Sequence, residues 1–283
     1  MADLEITKDK FTSEIDNLAS SLEQDFYRNK DNISPMISIT YFFVISLGYL
    51  FLQIFAIVQS NSYEEIDKIK THKLYLISYC LLILLGSFFI NFNISKGICP
   101  DTPINIYTLI LHTLLPWLII FGSIYGILII FDTWHRPFSN TLGYLVIKIL
   151  QVERYFSELL KPARDAVNTS TDDPNEKEQN EQLLQAILNM ETNKNIFINE
   201  LDEDPLLYNQ FMQQLKDAKI IDKLDENNKK QIYKLVVIKN SIGRFIWFFL
   251  SGIVISTITY NNMINASCNE TKTSILKKYE KIS

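Results

Sequence analysis

The sequence predicts an all-α, polytopic transmembrane protein with about four spans and a helical cytosolic insertion. Two observations carry that prediction. The 47% apolar content of the 283-residue chain is gathered into four long runs without charge, and nearly all the Asp, Glu, Lys and Arg lies between them. Each run is also apolar all round, with no amphipathic period. That suits a helix facing lipid and not one lying on a soluble core.

The elements follow in order. Residues 1–35 are polar and acidic, with Phe11, Ile15, Leu18 and Leu22 at helical spacing, and read as an amphipathic segment. They lack the short basic start of a cleavable signal peptide, so the first span is expected to act as an uncleaved signal anchor. A helix crossing a bilayer core needs about 20 mainly apolar residues. Residues 37–58, 74–90, 104–131 and 245–260 supply the four spans. Tyr41, Tyr107, Trp134, Trp247 and Tyr260 sit towards the ends of the runs, where amphipathic rings favour the interface. The third run would be about 40 Å long as a helix, so it must tilt, kink or protrude. Pro116 inside it removes one backbone hydrogen bond and marks the place for a kink.

Beyond the third span, residues 132–160 read as a juxtamembrane amphipathic helix. Its apolar row is Leu142, Leu145, Ile149, Val152, Phe156 and Leu159, and it is expected to end before Pro162. Residues 161–181 are polar without an apolar period and read as a flexible linker. Residues 182–240 return to helical spacing as a cytosolic domain. There Asp204–Pro205 is a cap-plus-first-turn start. Asp225 is expected to cap a last helix that runs directly into the fourth span. Residues 261–283 form a C-terminal tail.

Lys and Arg near the span ends set orientation. Lys68, Lys70, Lys73, Arg136, Lys230, Lys234, Lys239 and Arg244 outweigh Arg28, Lys30, Lys96, Lys272, Lys277 and Lys278. This places residues 132–244 in the cytosol and both termini on the other side. Cys99 and Cys268 then share the non-cytosolic side. A disulfide between them is geometrically allowed there, with two free thiols as the alternative. Cys80, inside the second span, reads as a packed thiol.

The segment LLPWLIIFGSIYGILIIFDTWHRPFSNTLGYLV couples Pro116–Trp117 in a span to a PFSNT-x-GY run just past it. It resembles a multi-span membrane protein family of large nucleocytoplasmic DNA viruses. The stretch KLVVIKNSIGRFIWFFLSGIVISTITYNNMINASC is similar to the end of that family, with its aromatic entry, Ser/Thr-rich exit and following Cys268. The chain departs from the likeness at His135–Arg136, where a glycine would be expected. The resemblance implies a protein of the virion or of a host-derived internal membrane, with other viral membrane or capsid proteins as partners. Pro137, Phe138, Ser139, Asn140 and Tyr144 would form the docking surface.

The chemistry-bearing signals are few. A net charge of −5 with no basic stripe argues against nucleic acid. No phosphate loop, nucleophile elbow or zinc spacing is present, so the chain reads as no enzyme, with no catalytic, cofactor or metal site. His112 is the one commonly ionisable side chain within a span and reads as a helix–helix hydrogen-bonding group. Asp132, His135 and Arg136 read as an interfacial anchor or a lipid-headgroup site. Gly122-x-x-x-Gly126 and Gly252-x-x-x-Ser256 let helix backbones approach closely, for packing within the chain or in a homo-oligomer. The leading functional expectation is a structural membrane protein that anchors capsid or core proteins to a virion's inner membrane. The alternative is an oligomeric channel for small solutes.

Overall fold

The computed structural model describes residues 36–71, 73–98, 104–167, 174–221 and 225–267. Among these residues every regular element is helical, and four helices are long and apolar enough to cross a membrane. The N-terminal segment 1–35, Cys99, Cys268 and the C-terminal tail beyond Ser267 lie outside the described residues.

The spanning helices are α1 (Met36–Gln59), α3 (Lys73–Ile98), α4 (Ile106–Ile130) and the apolar stretch Phe245–Tyr260 of α10 (Glu226–Ser267). Between the first two lies the short polar helix α2 (Tyr63–Thr71). The insertion holds α5 (Tyr144–Ile149), α6 (Val152–Val167), α7 (Pro174–Thr192), α8 (Lys194–Glu200) and α9 (Pro205–Asp217). The chain divides into two compact units. One holds the described residues up to 45, 78–124 and from 249 on; the other holds 46–77 and 125–248.

In the first unit, small and polar residues set the helix contacts. Gly86 makes room for the Tyr41 ring, whose hydroxyl donates to the Leu82 carbonyl at 2.6 Å. Gly252 faces the Phe42 ring, which in turn lies 5.4 Å from Trp117. Asn91 and Thr113 are buried and bonded to each other at 3.0 Å. Such pairing is required where no water can satisfy an amide or a hydroxyl. Asn105 starts α4 by accepting from the Tyr107 and Thr108 amides. After Pro116 the helix widens into a π-helical turn, Trp117–Phe121, before regular α geometry resumes. Proline lacks the N–H and crowds the carbonyl four residues back, and one wide turn absorbs both defects.

The second unit has a continuous apolar core. Phe156, Leu159 and Leu160 of α6, Tyr208 and Met212 of α9 and Val236 of α10 are all buried in it. Asp204 caps α9, accepting from the Leu206 and Leu207 amides, and Asp225 accepts from the Asn227 amide at the start of α10. α10 then continues without a break into its apolar stretch, as expected.

Two boundaries differ from the sequence reading. Residues 132–160 are not one helix, because the chain breaks at Leu150–Gln151, where Gln151 takes a left-handed φ of 65°. The apolar row therefore divides. Leu142, Leu145 and Ile149 are exposed, while Val152, Phe156 and Leu159 enter the core. The helix also runs through Pro162 to Val167, and residues 174–181 are helical, so most of the expected linker is ordered. Pro162 lies on the exposed side of α6, where water can take the carbonyl that its ring leaves unpaired. Ala163 beyond it is buried, and Arg164 holds Glu191 of α7 at 3.0 and 3.1 Å.

Candidate functional site

The functional residues nominated by the sequence centre on 132–144, and in the second unit this segment lies directly against α10. α4 ends at Ile130, and Phe131 leaves helical geometry with φ −113° and ψ 83°. A 3-10 turn (Asp132–His135), a single α turn begun at Arg136–Pro137 and a π turn (Ser139–Gly143) then lead into α5. His135, Ser139, Gly143 and Ile147 fall at steps of four and are all buried.

Two glycines fix this contact from opposite sides. A Cβ on Gly143 would run into the backbone of Lys239 on α10. A Cβ on Gly243 of α10 would run into Ser139 and the His135 carbonyl. Ser139-x-x-x-Gly143 thus lies on Lys239-x-x-x-Gly243 with backbones touching. This is a close-approach motif that the sequence reading did not single out. The serine-x-x-x-glycine spacing just past a span was the available signal.

Around the contact the charged groups are matched. The Lys239 ammonium is buried and donates to the Asn140 Oδ1 at 3.1 Å, the Asn199 carbonyl at 3.2 Å and the Ile198 carbonyl at 3.4 Å. The two carbonyls belong to the last turn of α8, so Lys239 acts as a cationic C-terminal cap. Burial, reinforced by the nearby Arg136, pushes its amino group down to about 8, with Glu200 and Asp202 opposing the shift. Arg136 lies 3.9 Å from Glu200 and 4.0 Å from Asp202. Arg244 pairs with the buried Glu203. The Ser139 hydroxyl and His135 Nδ1 are hydrogen-bonded at 2.9 Å. At the end of the segment the Tyr144 hydroxyl donates to Glu153 at 2.6 Å, which holds that carboxyl below the usual range.

Of the five proposed docking residues, four are therefore engaged inward. Ser139 is buried against α10, Asn140 holds Lys239, Tyr144 holds Glu153, and Phe138 stacks on Trp247 at 5.1 Å. Pro137 alone is exposed without such a contact. His135 and Arg136 join this internal network, while nothing is described of the Asp132 side chain. Gly252 and Ser256 are used in helix packing, both being buried. Gly122 and Gly126 are open, with no atom within 4 Å of an added Cβ at either. His112 is half-buried on α4. Cys80 is a free thiol, also half-buried. The proposed Cys99–Cys268 bridge lies outside the described residues.

Chemically, this arrangement holds backbones together. Its cations meet carbonyls and carboxylates of the same unit, and among the described residues no group of three or more His, Cys, Asp or Glu is placed to hold a metal ion. Comparison of the chain with protein-family models, with curated proteins and with solved structures gave no match in any of the three.

Proposed function

We propose that the protein is a structural integral membrane component of a large DNA virus, whose spans anchor a helical insertion that joins capsid or core protein to an internal lipid layer. One observation carries most of the weight. The two segments that carry the likeness to viral membrane proteins are the two that touch backbone to backbone through Gly143 and Gly243. A likeness confined to a load-transmitting joint, with matched charges around it, favours a scaffold over a reactive centre. The chemistry supports the same reading, since Lys239, Arg244 and Arg136 face acceptors within their own unit and present no unmatched group to a substrate. The test is proteomic analysis of purified virions of the encoding virus, before and after detergent removal of lipid. The protein should be present and should leave with the lipid fraction; its absence from virions would end this reading.

The open Gly122 and Gly126 on the third span favour one further reading, an oligomeric channel for small solutes. Solute flux from proteoliposomes that is lost with Gly122→Leu would support it, and no flux from the unaltered protein would remove it.

A further inference from the structure

The segment from Trp134 to Leu150 carries a second row of side chains beside the one that faces α10. Trp134, Phe138, Leu142, Leu145 and Ile149 recur at steps of four, four, three and four. Trp134 is 46%, Leu142 45%, Leu145 55% and Ile149 74% exposed. Such a face in water would be an aggregation hazard.

We infer that this segment is an interfacial helix, with the row immersed at the headgroup–acyl boundary of the bilayer that α4 crosses. Three observations name lipid as the occupant. First, the row continues a lipid-facing surface: Ile129, Ile130 and Phe131 at the end of α4 are 62%, 74% and 55% exposed, and Trp134 follows within one turn. Second, the polar groups on the outward side are satisfied from within. The Thr141 hydroxyl donates to the Pro137 carbonyl at 2.7 Å, and the Lys148 ammonium reaches back to Glu153 at 3.1 Å. A protein partner or water would leave such groups free to bond outward, whereas lipid demands internal satisfaction. Third, an aromatic cluster stands at the same place. Trp134 lies 6.0 Å from Trp247 and 6.4 Å from Phe131, and the Trp247 indole donates to the Trp134 carbonyl at 3.0 Å. Indole rings with a polar edge concentrate at the headgroup level. The departure from helical geometry at Phe131 ends α4 and sets the segment off as a separate element. Amphipathic helices with an apolar face of this kind lie in the interface plane.

The inference rests on the membrane-spanning reading and not on the viral one. It is tested by placing single nitroxide labels at Leu142, Leu145 and Ile149, with Glu158 on α6 and Leu52 on α1 as references. The protein is reconstituted in phosphatidylcholine vesicles containing some phosphatidylglycerol. Collisions with oxygen report lipid, and collisions with a water-soluble nickel chelate report water. Leu142, Leu145 and Ile149 should behave like Leu52, with oxygen collisions several-fold above those with nickel, while Glu158 shows the reverse. Nickel access at the three sites, with Leu52 still in lipid, would overturn the interfacial helix and leave the spans intact. Exclusion of both probes would also overturn it, by showing that a second copy or another protein covers the face. Nickel access at Leu52 as well would sink the membrane reading itself. A label-free check uses brominated lipid: Trp134 emission, taken as the difference between the native chain and Trp134→Phe, should be quenched most by bromine nearest the headgroup. Equal quenching at all depths, or none, would count against the inference.

Discussion

Gly143→Ala tests the backbone contact between the Ser139–Gly143 turn and α10. The added methyl meets the carbonyl oxygen of Lys239, with the Lys239 Cγ at 3.1 Å and its carbonyl carbon at 3.2 Å. Main chain held in a 42-residue helix cannot swing aside as a side-chain tip can. The two elements must therefore separate, and overpacking of this kind costs about 1–3 kcal/mol. Separation also stretches the 3.1 Å bond from Lys239 to Asn140, a charge-assisted bond worth about 1.5–3 kcal/mol when lost outright. Opposing both is a gain of up to about 1 kcal/mol from removing a glycine in a helical turn. The net expectation is a loss of about 2–3 kcal/mol, or a melting midpoint lowered by about 5–10 °C for a unit of this size. The assay is thermal unfolding in detergent, followed by tryptophan emission. Gly126→Ala is the control, since nothing lies within 4 Å of its added Cβ. A Gly143→Ala protein that melts with the control, or above it, would refute the contact.

Lys239 makes stability depend on pH in a defined direction. The unfolded chain keeps this proton up to about 10.5, and the fold releases it near 8. Between those values the unfolded state binds more protons, so stability should rise with pH, and the cost of burying the charge is fully present below about 8. Lys239→Met should abolish that rise, as measured by unfolding midpoints from about pH 7.5 to about 9.5, short of ordinary tyrosine ionisation. Glu203→Gln leaves the Arg244 guanidinium without its carboxylate and should cost about 2–4 kcal/mol, with the double change Glu203→Met, Arg244→Met recovering part of the loss; a single variant as stable as the parent would argue that the pair is idle. For Asn91 and Thr113, a double-mutant cycle with Asn91→Leu and Thr113→Val should give a coupling of about 0.6 kcal/mol, and not above about 1.7. Zero coupling would mean that the two groups find other partners.

Physical reasons separate what was legible in the sequence from what was not. A run such as 37–58, apolar on every side, has no stable alternative to a lipid-facing helix, so the four spans could be read directly. Asp204–Pro205 was equally plain, because a capping carboxylate and a fixed φ act within one turn of chain. Tertiary facing was not plain. The row from Leu142 to Phe156 has one continuous helical period, yet the left-handed Gln151 rotates its two halves onto different surroundings. Gly122-x-x-x-Gly126 looks like the better packing motif, yet Gly143 and Gly243 make the tight contact, since spacing alone does not say which backbone lies opposite. Lys239 reads as an exposed charge by residue type. Its burial follows from the open carbonyls at the end of α8, which no local pattern announces.

The cations of α10 show a single principle acting several times. Lys230 donates to the Asn61 carbonyl at 2.6 Å and Lys234 to the Val58 carbonyl at 2.7 Å, both at the C-terminal end of α1. Lys239 does the same for α8, and Arg244 reaches the Glu203 carboxylate. Helix C-termini carry unsatisfied carbonyls and the negative end of the dipole, so a cation delivered there meets two needs at once. The spacing along α10 places these side chains on successive turns, and each turn fastens a different element. Lysine and arginine in this stretch thus have two consequences of one charge. During insertion they weigh on which side of the bilayer the segment stays; in the fold they bind the ends of helices that no apolar contact could satisfy. Replacing them singly with glutamine should leave the spans inserted while loosening the insertion one element at a time, because each cation closes a separate helix end.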